Sequence, residues 1–328
     1  MGYAQLRGPL LVRRTRIEQP AVGCRHEENR KQRGLHSLMV SLVAAIGTLT
    51  TACSDGQAGS PAQLLATGLR LYVFDCGTLK ADPVRFRLKP EEVATTDLSV
   101  PCFLVVHPRG RLMWDPGAVP DSDWTPTSGP VTHHLVLPDG SGRDLTLRKR
   151  LTTQLGEVGY AAKDIEYLAF SHYHYDHTAN ANAFVAATWL VRQVERDAML
   201  SEKPPNVLQP AYYSALKASK TTIIQDDEHD VFSDGSVIIK SAPGHTPGHQ
   251  VLYLTLLRTG GVVLSGDLYH FPEARTLKRV TIFDFDQAQT ALSREKIETF
   301  LAKTRAQLWI QHDSIGNSRL KKAPDYYE

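Results

Sequence analysis

The sequence predicts an α/β fold in which two β-sheets are sandwiched between helices. Three observations lead there. Of the 328 residues, 42% are hydrophobic and 22% charged, an ordinary globular composition that excludes a disordered, collagen-like or disulfide-scaffold chain. Short strand-like runs are followed by helical periods in two similar halves, as a layered α/β domain requires. Imidazoles and carboxylates stand just past the ends of several of those runs, where α/β sheets place their sites. One large domain is the simpler reading of the length.

The elements follow in order. Leu69–Asp75, Val100–His107 and Arg111–Trp114 read as strands, rich in β-branched and aromatic residues. The third stops at Asp115-Pro116-Gly117. Ala118–Gly142, full of Pro, Gly, Ser and Asp, reads as an irregular excursion. Leu145–Val158 has a helical period through Leu147, Leu151, Leu155 and Val158. Ile165–Phe170 is a short strand feeding Ser171–His177. Thr188–Val191 reads as a strand, Gln193–Leu200 as a helix, and Pro204–Ser219 as a helical or loop insertion. Strands follow at Thr221–Ile224, Val237–Ser241, Gln250–Leu257 and Gly261–Ser265, then a helix within Phe285–Lys303 and a last strand at Gln307–Ile310. The charge run Asp226–Asp230 reads as a solvated loop.

Charge and hydropathy set the N-terminus apart. Residues 1–38 hold eight of the 37 Lys/Arg and three of the 35 Asp/Glu, and residues 39–53 hold neither, so the remainder is slightly acidic. No basic face for nucleic acid is expected. Leu38–Thr51 is an apolar run shorter than the ~20 residues of a membrane span. It follows Arg30, Lys31 and Arg33 and ends at Thr51-Ala52-Cys53, which together make an export signal of lipoprotein type. We therefore expect a leader over 1–53, a flexible tether over 54–67 and the folded domain over 68–328. The protein is then exported from a bacterial cell: periplasmic, tethered to the membrane through a lipidated Cys53, or secreted. Cys76 and Cys102 could pair in an exported domain, but two buried free thiols are the plainer expectation.

The segment His172-Tyr173-His174-Tyr175-Asp176-His177 carries the chemistry. His172 and His174 alternate with tyrosines and can point one way, while Asp176 and His177 follow the bend. One metal cannot comfortably take all four from so short a loop; two adjacent metals can. Imidazole and carboxylate suit zinc, with iron, manganese or cobalt as alternatives. Other strand ends offer His245, in Pro243–His249, then Asp267 and His312. Tyr173 and Tyr175 are expected to pack and orient their loop. His249 is expected to support rather than ligate. His133, His134 and His229 are expected in solvent, and Trp114, Trp124 and Phe271 in the core.

The pattern His172-x-His174-x-Asp176-His177, followed by His245, Asp267 and His312, resembles the metallo-β-lactamase superfamily. The resemblance implies a four-layer αβ/βα sandwich. It implies that His172, His174 and His245 hold one ion, that Asp176, His177 and His312 hold another, and that Asp267 bridges them. Asp115 matches the early strand-end Asp and is expected to hydrogen-bond the metal loop. Within the superfamily the sequence is most similar to the N-acyl homoserine lactonases, through Ala181–Phe184 and Gly244–Gln250. Those enzymes carry a substrate-contacting Tyr three places after the bridging Asp. Here Tyr269 stands two places after and His270 three, so both are candidates for the catalytic pocket.

The resemblance implies a dinuclear metal hydrolase. A bridging water, held as hydroxide by two divalent ions, would attack a carboxylic ester, foremost a lactone. Asp176 would pass the proton, and Tyr269 or His270 would steady the oxyanion. No Gly-x-Ser-x-Gly elbow supports a serine nucleophile. The rivals are a thioesterase like glyoxalase II, a phosphoester hydrolase, an iron-dependent enzyme like the persulfide dioxygenases, and a non-catalytic metal-binding module.

Overall fold

Two mixed β-sheets face each other, and their strand ends deliver the polar residues to one edge. The computed structural model describes residues 68–125 and 127–328; the leader and tether expected over 1–67 lie outside the described residues. Strands β1 (Arg70–Lys80), β2 (Asp97–His107), β3 (Gly110–Trp114), β4 (Val131–Val136), β5 (Gly142–Leu147), β6 (Tyr167–Ala169), β7 (Thr188–Val191) and β8 (Thr221–Ile223) form the first sheet. Its order is β4-β5-β1-β2-β3-β6-β7-β8. Strands β9 (Glu228–Asp230), β10 (Val237–Ser241), β11 (Gln250–Leu256), β12 (Gly260–Leu264) and β13 (Gln307–Trp309) form the second, in the order β13-β12-β11-β10-β9. The short β14 (Tyr326–Tyr327) returns the chain to pair with β1.

Strand alternation sorts side chains between layers. Leu71, Val73, Phe103, Val105, Leu112 and Trp114 of the first sheet pack with Val237, Ile239, Leu252, Leu254, Val262 and Leu264 of the second. Their neighbours Tyr72, Phe74, Leu104 and Met113 point the other way, onto Leu151, Leu155, Phe184 and Met199. On the far side, Val251 and Val263 cover Ile297 and Leu301 of the helix Gln287–Thr304. Asp286 caps that helix by accepting from the Gln289 N–H at 2.9 Å. The result is the expected four-layer αβ/βα sandwich.

Three sequence expectations are corrected. The excursion Ala118–Gly142 contains β4, paired antiparallel with β5 from Val131↔Leu147 to Val136↔Gly142. The helix expected from Leu145 begins only at Leu151, because Leu145 and Leu147 lie on one side of β5, which registers with β1 at Thr78↔Thr146. Both leucines satisfy a period of two as well as a helical one, and tertiary pairing decides. Part of the charge run, Glu228–Asp230, is an edge strand, where charged side chains discourage further pairing.

The cysteine expectation is also overturned: Cys76 and Cys102 form a disulfide, with Cα atoms 5.8 Å apart. Phe74 lies opposite Cys102, and the register of β1 and β2 shifts between Asp75 and Thr78, which brings Cys76 round to its partner. The bridge lies under the turn after β3. A Cβ on Gly117, whose φ is +89°, would stand 3.0 Å from Cys76 Cβ and 3.1 Å from Cys102 Sγ.

Candidate metal centre

Parallel pairing sets the site. β3 and β6 run parallel with Trp114 beside Ala169, so Asp115 emerges next to Ser171. β12 and β13 run parallel with Leu264 beside Trp309, so Asp267 and His312 emerge together. The sheets meet where the Gln250 N–H donates to the Ser171 carbonyl at 2.9 Å.

All seven residues expected from the sequence converge. Asp267 lies at the centre, and its two oxygens face different partners. Oδ2 is 3.5 Å from His172 Nε2 and 3.3 Å from His245 Nε2. Oδ1 is 3.2 Å from His177 Nε2 and 2.9 Å from His312 Nε2. Asp176 Oδ2 joins the second group, 3.6 Å from His312 Nε2 and 3.9 Å from His177 Nε2. His174 turns Nδ1 toward His245 Nε2, at 3.1 Å. Donor atoms of His172, His174, His245 and Asp267 lie within 4.8 Å of one another, and so do those of Asp176, His177 and His312.

The donor set fits divalent metal ions. His172 Nε2 and His177 Nε2 are buried atoms with no hydrogen-bond partner, a costly arrangement for a structural cluster. The opposite ring nitrogens are anchored: His177 Nδ1 to Asp115 Oδ2 at 3.0 Å, His245 Nδ1 to Asp284 Oδ1 at 2.8 Å, and His312 Nδ1 to the Ser99 carbonyl at 2.8 Å. Such partners orient metal-binding imidazoles and fix their tautomers.

Titration follows the same geometry. Burial, with the neighbouring imidazoles, holds His172 and His174 well below the usual histidine range. Burial opposes charge on His177 and His312 too, but the surrounding carboxylates, Asp267 with Asp115 and Asp176 for His177 and Asp267 with Asp176 for His312, together raise both. Asp267 resists burial because His312, His270, His177 and His172 surround it, which keeps it well below the ordinary carboxylate range. His245 is pushed up to about 9: burial opposes its charge, and hydrogen bonds to Asp267 and Asp284 overcome this. A proton and a metal ion compete for His245 Nε2. Below pH 9 binding expels that proton, so apparent metal affinity rises with pH, about tenfold per unit from this group, and levels off above it. Chelator-competition titrations from pH ~6 to pH ~10 measure this; a flat profile contradicts it.

The supporting residues agree in part with expectation. Asp115, at φ 52°, accepts from the Ser171 N–H at 2.6 Å as well as meeting His177. His249 accepts the Asp267 N–H at Nε2, 3.0 Å away, while its Nδ1 donates to the Ala242 carbonyl. It therefore supports the site without entering it. His134 is exposed and pairs with Asp144.

Tyr269 is a correction. Its hydroxyl donates to Glu298 Oε1 at 3.0 Å, and its ring lies 4.3 Å from the Arg294 guanidinium, away from the cluster. The cause is local: Tyr269 is extended (φ −140°, ψ 138°), so it and His270 point to opposite sides. His270 faces inward, with Nε2 3.0 Å from Asp267 Oδ2. A hollow of about 790 Å³ behind Tyr269 contains none of the cluster. The groove above the cluster, about 430 Å³, has His174, Asp176, Asp267, His270 and His312 on its lining and Phe86, Leu98, Leu137, Tyr175 and Phe283 on its apolar walls.

Two residues escaped the sequence. Glu195, on the helix Gln193–Leu200, accepts from the Tyr173 N–H at 3.0 Å and from the Gly248 N–H at 2.7 Å. It ties the two histidine loops together, and burial raises its carboxyl to about 7. Asp284 holds His245 and accepts from the Thr281 hydroxyl at 2.6 Å. Neither belongs to a sequence motif: Glu195 lies within the helix Gln193–Leu200, and Asp284 precedes the helix Gln287–Thr304. Asp284→Ala is expected to weaken metal binding about 10–100-fold while leaving the fold intact. Metal-binding titration with circular dichroism checks this, and unchanged affinity counts against the support role.

The metallo-beta-lactamase superfamily pattern matches residues 95–306, most of the described chain. The chain belongs to the metallo-β-lactamase superfamily. An N-acyl homoserine lactonase, AttM of Rhizobium radiobacter, is 28% identical over 268 residues, covering 80% of this chain and 99% of that protein. An N-acyl homoserine lactonase of a Bacillus species is 27% identical over 262 residues, covering 78% and 98%. Among solved structures, a point mutant of Bacillus thuringiensis AiiA with N-decanoyl-L-homoserine bound at the active site superposes with a TM-score of 0.66 at 23% identity, over 78% of this chain and 98% of that one. AidC, described as a dizinc quorum-quenching lactonase, gives 0.57 at 20% identity, over 79% and 94%. These superpositions establish the shared sandwich. With full-length lactonases among its relatives, this member of the superfamily is an enzyme, a hydrolase.

Proposed function

We propose that the protein is a dinuclear metal-dependent lactonase acting on N-acyl homoserine lactones or closely related lactones. The observation that carries this reading is Asp267, whose two oxygens face two separate donor groups. In this reading His172, His174 and His245 hold one ion, Asp176, His177 and His312 the other, and Asp267 both. Two divalent ions, zinc foremost, would supply an activated water and a Lewis acid for the ester carbonyl.

The remaining roles fall to the chain itself. The apolar walls of Phe86, Leu98, Leu137 and Phe283 would take an acyl chain and exclude water from the carbonyl. The Asp176 carboxylate lines the groove, where it could take the proton released on attack and return it to the departing alkoxide. The buried network through Asp115, Glu195 and Asp284 would hold these groups without rearrangement during the reaction.

A comparison of purified protein on an acyl homoserine lactone, a glutathione thioester and a phosphotriester tests the reading. The expected order places the lactone at least tenfold above the others in kcat/KM, about 1.4 kcal/mol of transition-state preference. A thioester or phosphotriester in first place would transfer the assignment to a glyoxalase II-like or phosphoester-hydrolase role. Oxygen uptake with one iron per chain would favour the dioxygenase alternative.

Export belongs to the same proposal. The disulfide Cys76–Cys102 suits an oxidising compartment. Whether the mature chain begins at a lipidated Cys53 is read by mass spectrometry of its N-terminus; a mature chain still starting at Met1 contradicts export.

A further inference from the structure

We propose that His270 is an eighth side-chain donor to the metal centre, beside Asp267 and His312. The inference rests on the dinuclear reading above and assigns a ligand that the seven-residue set does not contain. His270 is buried, and the extended backbone at Tyr269 directs it inward. Its Nε2 stands 3.0 Å from Asp267 Oδ2, the same oxygen that His172 and His245 face at 3.5 and 3.3 Å. Two donors sharing one ion at bonds of ~2.0–2.1 Å are separated by about 2.9 Å at a right angle and about 3.4 Å at a tetrahedral one. The His270 separation falls in that range, and its donor atom groups with those of Asp267 and His312, all within 4.8 Å of one another, on the His312 side of the cluster.

The ring is held differently from the other imidazoles. His270 Nδ1 is buried with no partner, whereas His177, His245 and His312 each anchor theirs to a carboxylate or carbonyl. Its orientation comes from ring packing: stacked on His312 at 5.5 Å and 14°, and against Phe86 at 4.8 Å and Phe283 at 5.6 Å. A donor without an outer hydrogen bond is less basic and more easily displaced. His270 also lines the groove, so it would be the ligand that yields when a substrate oxygen arrives.

The test uses cobalt-loaded protein. Wild type and His270→Phe are compared by visible absorption of the cobalt ions and by the rate of metal loss to a chelator. Phe keeps the aromatic packing, and His270→Gln, which retains a weak donor, is the second variant. The expected result is a changed cobalt spectrum and about tenfold or faster metal loss in His270→Phe, with His270→Gln in between. Tyr269→Phe, whose hydroxyl faces Glu298, leaves both readouts at wild-type values. Unchanged spectra and metal-loss rates in both His270 variants would overturn the assignment and leave a hydrogen bond to Asp267 only. A wild type that takes up no cobalt would instead remove the dinuclear reading itself.

Discussion

On the dinuclear lactonase reading, Asp267→Ala is expected to reduce lactone hydrolysis on the order of a thousandfold or more and to leave the purified protein with at most one firmly held ion. The Asp267 carboxylate stands within 3.5 Å of ring nitrogens from both donor sets. Removing it separates the sets and leaves His177, His245 and His312 buried together without their common anion. Metal-assisted hydrolysis draws several kcal/mol of transition-state stabilisation from its ions, and ~4 kcal/mol is a factor of about a thousand in rate. Steady-state assays with elemental analysis of the same sample measure both effects. A variant within tenfold of wild type that still holds two ions would show that Asp267 does not bridge.

Gly266→Ala destabilises the protein by about 3–5 kcal/mol and weakens metal loading as well. Gly266 is left-handed, with φ +48°, and the space a Cβ would need is taken. That atom would lie 2.4 Å from Ser171 Cβ and 2.8 Å from His249 Nε2. The first neighbour belongs to the loop that presents His172; the second accepts the Asp267 N–H. Strain at Gly266 therefore moves both halves of the cluster. Chemical denaturation of the metal-free protein isolates the stability loss, and a change below about 1 kcal/mol, within the range of an ordinary surface substitution, would contradict it.

The donor cluster was legible because its residues stand immediately after strands, and strand ends can be read locally. His172, His245, Asp267 and His312 each follow a run that forms a strand; parallel pairing brings Asp115 beside the His172 loop and Asp267 beside His312, while His245 comes from the end of β10. What escaped depended on partners distant in the chain. Glu195 acts through hydrogen bonds to loops 22 and 53 residues away, and Asp284 through one to a loop 39 residues away. No spacing marks them. Tyr269 misled because its residue type suited the chemistry, whereas one step of extended backbone determines which side a residue faces. The hairpin of β4 and β5 was hidden by leucines compatible with two periods. The Cys76–Cys102 bridge depended on a register shift within β1, which no composition encodes.

Metal content measured alongside turnover addresses the central claim most directly. Protein freed of metal with a chelator and titrated with zinc is assayed on an acyl homoserine lactone at each addition. The expected curve shows no hydrolysis without metal, and activity that rises to a plateau at two ions per chain. Full activity in the metal-free sample, or a plateau reached at one ion, would contradict a dinuclear centre built around Asp267.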